Sequence, residues 1–334
     1  MSIMQHVTLH FLNVGHGDCT FIDPPSGHLT MIDVNNSKSL RVDDEVGLAR
    51  SMGMSVDAFR RNALIKFGLR TPADHYRALL VDPYDYFHTH FRGRSVFRYI
   101  QTHPDMDHMS GLCQFFWWNK IPILNFWDAV TKKQQTRATF DESRYDWNDW
   151  LTYRQLRQGS GPDDTTLTVL RLKPGAAGDF YRQDGIKILG PSTPTLDAAN
   201  RSERWNDASY ILRLDYGGRK VILPGDAEEN AWEAVLTEQD ERVLACDILK
   251  AAHHGRQSGY YQPALAAMDP SLVICSVGNR PETDATDEYS SYGSEVLTTR
   301  RDGSITVTLW ADGEVWVQNA RGDRLTKAEL PALR

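Results

Sequence analysis

The order of elements legible in this 334-residue chain predicts a mixed fold, α/β or α+β. Two observations carry the prediction. The chain opens on a meander of short alternating strands, and later apolar strands are separated by segments of helical spacing. A third observation bears on function: loops rich in His and Asp follow several of the strands.

Composition bounds the possibilities. With 41% hydrophobic and 24% charged residues, the chain has apolar material for a proper core. Its net charge of −7 excludes a wholly basic nucleic-acid wrapper and leaves room for a local basic face. Cys19, Cys113, Cys246 and Cys275 are far apart and form no CxxC pair. They read as small buried hydrophobes of a reducing compartment rather than a disulfide framework or zinc knuckle. The opening MSIMQHVTLHFLNVG lacks the basic and apolar regions of a leader, and no apolar run reaches the roughly 18 residues of a membrane span. A cytoplasmic location without a membrane contact is expected.

Taken in order, residues 6–14 alternate through Val7, Leu9 and Phe11, as a half-buried strand does. Gly15-His16-Gly17-Asp18 turns the chain, Cys19 to Asp23 resumes a strand, and Pro24-Pro25-Ser26-Gly27 leads to a third over His28 to Asp33. Asp43 to Gly53 and Val56 to Phe67 carry helical spacing, and Thr71-Pro72-Ala73-Asp74 has the form of a helix start. Residues 38–95 therefore read as a helical insertion. Arg92, Arg94 and Arg98 close it as a solvated rim or a phosphate contact. Val96 to Ile100 is an apolar strand. Ser110 to Trp118 starts a helix and runs into aromatic core, a base-stacking platform being the other reading.

Ile121 to Trp127 is the next strand, and residues 131–165, helical from Tyr145 to Gln158, form a second insertion. Strands over Thr166 to Leu172 and Ile186 to Leu189 flank a Pro/Gly-rich turn. Tyr210 to Asp215 pairs with Lys220 to Pro224 across Gly217-Gly218. A helix over Asn230 to Leu236, a strand over Cys246 to Ala252, a helix over Gln262 to Met268 and a strand over Ser271 to Ser276 follow. A polar loop, Asn279 to Ser294, precedes a final hairpin of Ser304 to Trp310 with Glu314 to Gln318. Without repeat or linker, the chain reads as one domain over 1–334 with the two insertions, 38–95 and 131–165.

The chemistry concentrates at three strand ends. His103, Asp105, Asp107 and His108 fall within six residues of one another after Val96 to Ile100. Asp226 follows Gly225 at the end of a second strand, and His253-His254-Gly255 ends a third. Imidazole nitrogens and carboxylate oxygens are the ligands of divalent ions such as zinc, and loops leaving strands can aim them at one point. Any one of these stretches is explicable as a polar turn. Three together point to a metal site.

This pattern resembles the metallo-β-lactamase superfamily, whose usual motif HxHxDH here reads HxDxDH. With Asn13-Val14-Gly15-His16-Gly17-Asp18-Cys19, Ile32-Asp33, Asn206 to Ser209, Pro224-Gly225-Asp226 and Leu249-Lys250-Ala251-Ala252-His253-His254-Gly255, it is most similar to the nuclease domain of ComEC-type DNA-uptake proteins. The resemblance covers roughly residues 6–35 and 82–318 and leaves residues 38–81 without a counterpart. It implies an αββα sandwich of two mixed sheets flanked by helices, with two divalent ions at one edge.

Carried over residue by residue, the resemblance assigns His103 and Asp105 to one ion, Asp107 and His108 to the other, and Asp226 to both. One of His253 and His254 completes the second position, and the other orients or contacts substrate. Asp33 and Asp18 stand behind imidazoles as acceptors. The family usually supplies a further histidine to the first ion, yet no histidine lies between 109 and 252. Asn206, Asp207 or Ser209 is the expected substitute. Zinc is favoured, and the oxygen-rich first position admits manganese or magnesium. His16 stands where the family has Gln, and Asp287, Tyr289 and Tyr292 stand where its closing loop carries a His-Pro pair.

The activity implied is metal-dependent hydrolysis of phosphodiesters, DNA or other nucleic acid foremost. Asp105 or Asp107 would orient water, and His254 (or His253) and Lys250 would act on the developing charge or leaving group. Lys250 reads first as a strand lysine that faces away, and Arg256 and Ser258 hold phosphate or are solvated loop. A small-molecule phosphodiesterase or esterase is the alternative. So is a degenerate binding module that engages a protein partner through its insertions.

Overall fold

Val7, Leu9 and Phe11 are fully buried and point into the space between two sheets, as period-two alternation requires. Burying each such side chain is worth about 1.5–3 kcal/mol. The structure, a computed structural model, describes residues 5–36, 40–61, 71–176, 178–279, 282–319 and 322–324. Its strands in chain order are β1 (His6–Phe11), β2 (Thr20–Asp23), β3 (Thr30–Ile32), β4 (Val96–Gln101), β5 (Ile123–Asp128), β6 (Thr168–Leu170) and β7 (Ile186–Gly190). They continue as β8 (Ile211–Tyr216), β9 (Arg219–Leu223), β10 (Ile248–Lys250), β11 (Leu272–Cys275), β12 (Glu295–Thr298), β13 (Ile305–Trp310) and β14 (Val315–Asn319).

One sheet has the order β14-β13-β1-β2-β3-β4-β5-β6 and the other β12-β11-β10-β9-β8-β7. Strands β3 to β6 run parallel in the first, and β9 to β12 in the second. The remaining pairings are antiparallel. Side chains of both sheets, Ile100 and Trp127 from one and Leu223 and Ile248 from the other, share the central core.

Each outer face is covered by helices. Phe87, Phe116, Trp150 and Tyr153 pack over Tyr99 and Phe126 of the first sheet. Trp232, Val235, Leu265 and Met268 pack over Ile222, Leu249 and Val273 of the second. The layers are helix, sheet, sheet, helix: the αββα sandwich that the resemblance implied. Among the described residues no helix is long and apolar enough to cross a membrane.

The first insertion builds helices over Val42–Ser51, Val56–Arg60, Pro72–Arg77 and Pro83–His90. Leu48, Ala49, Phe59 and Ala73 give it a small core of its own. The expected start at Thr71 is a reciprocal capping box: the Thr71 hydroxyl accepts from Asp74 N, and the Asp74 carboxylate accepts from Thr71 N. The helical reading of Val56 to Phe67 holds over Val56–Arg60, and residues 62–67 lie outside the described residues.

Three segments differ from expectation. A short helix, Asp179–Gln183, lies within the Pro/Gly-rich turn, and a longer one, Thr193–Ser202, follows β7. The latter buries only Thr195, Leu196 and Ala199, too sparse a stripe to register as periodicity. The polar stretch after Asn279 contains the helix Thr286–Tyr292, which buries Tyr289.

Candidate metal centre

The parallel strands of both sheets deliver their carboxyl ends to one edge of the sandwich. Asp33 follows β3, His103 to His108 follow β4, Asp226 follows β9, and His253 and His254 follow β10. The approach is close. At Gly225 φ is +57°, and a Cβ there would lie 2.9 Å from Thr102 Cβ and 3.1 Å from Ser209 Cβ. A Cβ on Gly17 would lie 2.4 Å from the Asp107 carbonyl oxygen. The Ser209 hydroxyl accepts from Asp226 N at 3.1 Å, and the Gly225 carbonyl accepts from His253 N at the same distance. Asp33, His253 and His254 all have positive φ, a cost that the surrounding contacts must hold in place.

The Asp226 carboxylate is the centre of the arrangement. Its Oδ2 lies 3.1 Å from His108 Nε2, 3.3 Å from His254 Nε2, 3.7 Å from His253 Nε2 and 3.9 Å from His103 Nε2. His103 Nε2 is also 3.9 Å from Asp105, and His254 Nε2 is 3.6 Å from Asp107. The opposite ring nitrogens are backed by oxygen. Asp33 Oδ2 sits 2.7 Å from His108 Nδ1, Glu228 Oε1 3.1 Å from His253 Nδ1, and Asp18 Oδ1 3.6 Å from His254 Nδ1. The Thr102 hydroxyl sits 3.1 Å from His103 Nδ1. A carboxylate behind Nδ1 fixes the ring and leaves Nε2 free to ligate.

These residues fit a divalent ion. Ligand atoms of Asp18, His108, Asp226 and His254, all buried residues, lie within 4.8 Å of one another, as do those of His16, Asp107 and His254. His103 Nε2, His108 Nε2, His254 Nε2 and Asp226 Oδ1 are buried and make no hydrogen bond, an arrangement costly for polar atoms that have nothing to bind. The electrostatics agree. Burial would depress His254, but the Asp226 and Asp18 carboxylates raise it to about 10. His108, buried between Asp226 and Asp33, is held well above its ordinary value. Burial would raise Asp226, but His108, His254 and His253 hold it well below the carboxylate range. A proton on these nitrogens and an ion compete for the same lone pairs.

Both adjacent histidines face Asp226, where the sequence left a choice between them. Asn206 stands behind the ring of ligands: its amide donates to Glu228 at 3.1 Å, so it reaches His253 only through that carboxylate. Asp207 is buried and pairs with Arg204 at 3.0 Å. Lys250 is buried, its ammonium 2.5 Å from Asp18, so it does not face outward as a strand lysine. Ser258 Oγ is 2.7 Å from His253 Nδ1, and Arg256 is 2.7 Å from His16 Nε2. His16 itself, buried beside His254 and Arg256, is lowered to about 3.

The arginine cluster and the closing loop stand elsewhere. Arg98 is buried in an ion pair with Asp184 at 2.6 Å, and Arg94 pairs with Asp23 at 2.8 Å. Tyr289 packs edge-on against Tyr260 in the outer core, joined there by the partly buried Tyr292. Phe115 and Phe116 are core, while Trp118 is exposed. Two contacts had no local signal. Glu228 behind His253 follows Asp226 by two residues, and Lys133 reaches Asp105 from the second insertion at 2.6 Å.

Fold and site together define an αββα sandwich with a buried divalent-cation cradle at its edge. No family model matches the chain. By sequence it is 25% identical over 155 residues to ComE operon protein 3 of Bacillus subtilis, covering 43% of this chain and 19% of that protein. It is 22% identical over 146 residues to the uncharacterized protein YcaI of Escherichia coli, covering 42% and 19%. The matches thus span about a fifth of the length of either relative. Among solved structures, the metallo-β-lactamase fold protein YhfI of Bacillus subtilis aligns with a TM-score of 0.43 at 9% identity, over 93% of this chain and 99% of that one. Igni18, a metallo hydrolase from the archaeon Ignicoccus hospitalis, aligns with a TM-score of 0.45 at 13% identity, over 90% and 98%.

Proposed function

We propose that the chain is a metal-dependent hydrolase that cleaves phosphodiester bonds, with nucleic acid as substrate and two divalent ions held by the edge cradle. One observation carries the hydrolase reading: four imidazole Nε2 atoms converge on one Asp226 oxygen, three of those rings being backed by a carboxylate. Divalent ions in such a cradle supply Lewis acidity toward water and toward a phosphoryl oxygen.

The chain's own groups do the rest. Asp226 would serve both ions, His103 and Asp105 would hold one, and Asp107, His108 and one of His253 and His254 would hold the other. A free oxygen of Asp105 or Asp107 would accept a hydrogen bond from the attacking water and orient it. Lys250 holds Asp18, which in turn backs His254, so it positions rather than reacts. Zinc suits the imidazoles, and manganese or magnesium the oxygen-rich side.

Three features support a phosphodiester substrate: the HxDxDH resemblance, the oxygen donor Asp105, and the cations Arg256 and Arg204 beside the cradle. The chain's net charge of −7 favours a second reading, a small phosphodiester over a long polyanion. Linear double-stranded and single-stranded DNA, and bis-p-nitrophenyl phosphate, incubated with the purified protein under Mn²⁺, Mg²⁺ or Zn²⁺ separate the two. Cleaved DNA supports the nuclease, and intact DNA with a cleaved small ester supports the second reading. Neither substrate cleaved under any of these ions would refute both. Asp226→Ala is expected to lose bound ions and activity together.

A further inference from the structure

Lys133 is a residue of the second insertion, yet its ammonium lies 2.6 Å from Asp105 Oδ1. The other oxygen of the same carboxylate is the one that faces His103, at 3.9 Å. The lysine is delivered by a fixed segment. The Arg157 guanidinium donates to Asp128 at 2.9 Å and to the Thr131 carbonyl at 3.0 Å. The Asn200 side chain accepts from Lys132 N at 2.6 Å. The Lys133 side chain is only 16% exposed. The lysine is therefore a seated partner of Asp105 and not a passing surface charge.

The two halves of the cradle differ in consequence. Around Asp107, His108, His254 and Asp226 the carboxylate oxygens face imidazoles, and the ammonium on that side, Lys250, is held by Asp18 behind His254. Asp105 already faces the Lys133 ammonium, which repels a second cation at short range.

We propose that Lys133 is a resident counter-cation for the first ion position, so that an ion enters beside Asp105 only by displacing it. The protein then takes up its two ions unequally, tightly at the His254 side and weakly at the Asp105 side. This rests on the reading of the edge cluster as a two-ion cradle. The residue that sets the inequality comes from an insertion, outside the motif that supplies the ligands.

Manganese titration of the purified full chain by calorimetry, with free Mn²⁺ followed by electron paramagnetic resonance, tests the inference. The wild type is expected to bind in two steps of unequal affinity. Lys133→Met should tighten the weaker step by about tenfold or more, the effect of removing one charge-assisted contact, and leave the tighter step unchanged. Lys133→Arg, which keeps the charge, should behave as the wild type and shows that position 133 tolerates substitution. Two wild-type steps of equal affinity, or steps unchanged in Lys133→Met, would overturn the inference and leave the cradle standing. No uptake of Mn²⁺ by either wild type or Lys133→Met would remove the cradle reading and the inference with it.

Discussion

Asp33→Asn tests whether His108 ligates through Nε2. In the structure Asp33 Oδ1 accepts from Thr102 N at 2.7 Å and from Gln101 Nε2 at 3.2 Å. Its Oδ2 accepts from the Thr102 hydroxyl at 2.6 Å and faces His108 Nδ1 at 2.7 Å. Asparagine keeps the shape and the first oxygen but places an amide donor at the second. The Thr102 hydroxyl can turn to accept from it, whereas His108 must move its proton from Nδ1 to Nε2, the atom that faces Asp226. The loss is thus chiefly one buried charge-assisted hydrogen bond, about 1.5–3 kcal/mol of stability in urea unfolding. Reversing the tautomer should also weaken ion binding about 10- to 100-fold, the usual effect of losing a carboxylate behind a ligating imidazole. Calorimetric titration reads that directly. Wild-type ion affinity in a folded Asp33→Asn protein would show that His108 Nε2 is not a ligand.

Three further outcomes are expected. Gly225→Ala should cost about 1–3 kcal/mol in denaturant unfolding, because φ is positive there and the new Cβ meets Thr102. Full stability would mean the turn relaxes freely. Arg98→Ala should destabilise by roughly 3 kcal/mol while leaving any cleavage activity intact, since it breaks the buried pair with Asp184 away from the cradle. A selective loss of activity would place Arg98 with the substrate instead. Asp149 is raised by burial from 3.8 to about 7, although its oxygens accept from Gly111 N and Cys113 N at 2.8 Å each. A raised carboxyl contributes stability that is present below about 4 and lost as pH rises through about 7. Measured against Asp149→Asn, wild-type stability should therefore fall across that window and level off above it. A pH-independent difference would refute the shift.

The residues of the edge cluster were legible because each sits in a short local signature, an apolar strand followed at once by His or Asp. The strands were legible from period-two alternation, which is also local, whereas the sandwich itself was implied by the motif resemblance. What escaped was set by distance in the chain. Lys133 meets Asp105 across 28 residues and an inserted segment, and nothing beside Lys132-Lys133 marks it as different from any surface pair. Glu228 was adjacent to the motif, yet its role depends on where β10 brings His253. The arginine cluster misled for the same reason: Arg98 is basic by sequence, but its strand turns it inward onto Asp184. The helix over Thr193–Ser202 had a cap in Ser192 and too few apolar positions to declare itself.

The cradle draws its members from both sheets: Asp33, His103 and His108 from one, Asp226, His253 and His254 from the other. An ion shared by His108 and Asp226 would therefore act as a rivet through two plates. At about 100 times its dissociation constant such an ion adds roughly 2.7 kcal/mol to the folded state, and that increment acts across the seam between the sheets. Ion binding would then strengthen the contact between the sheets at this edge.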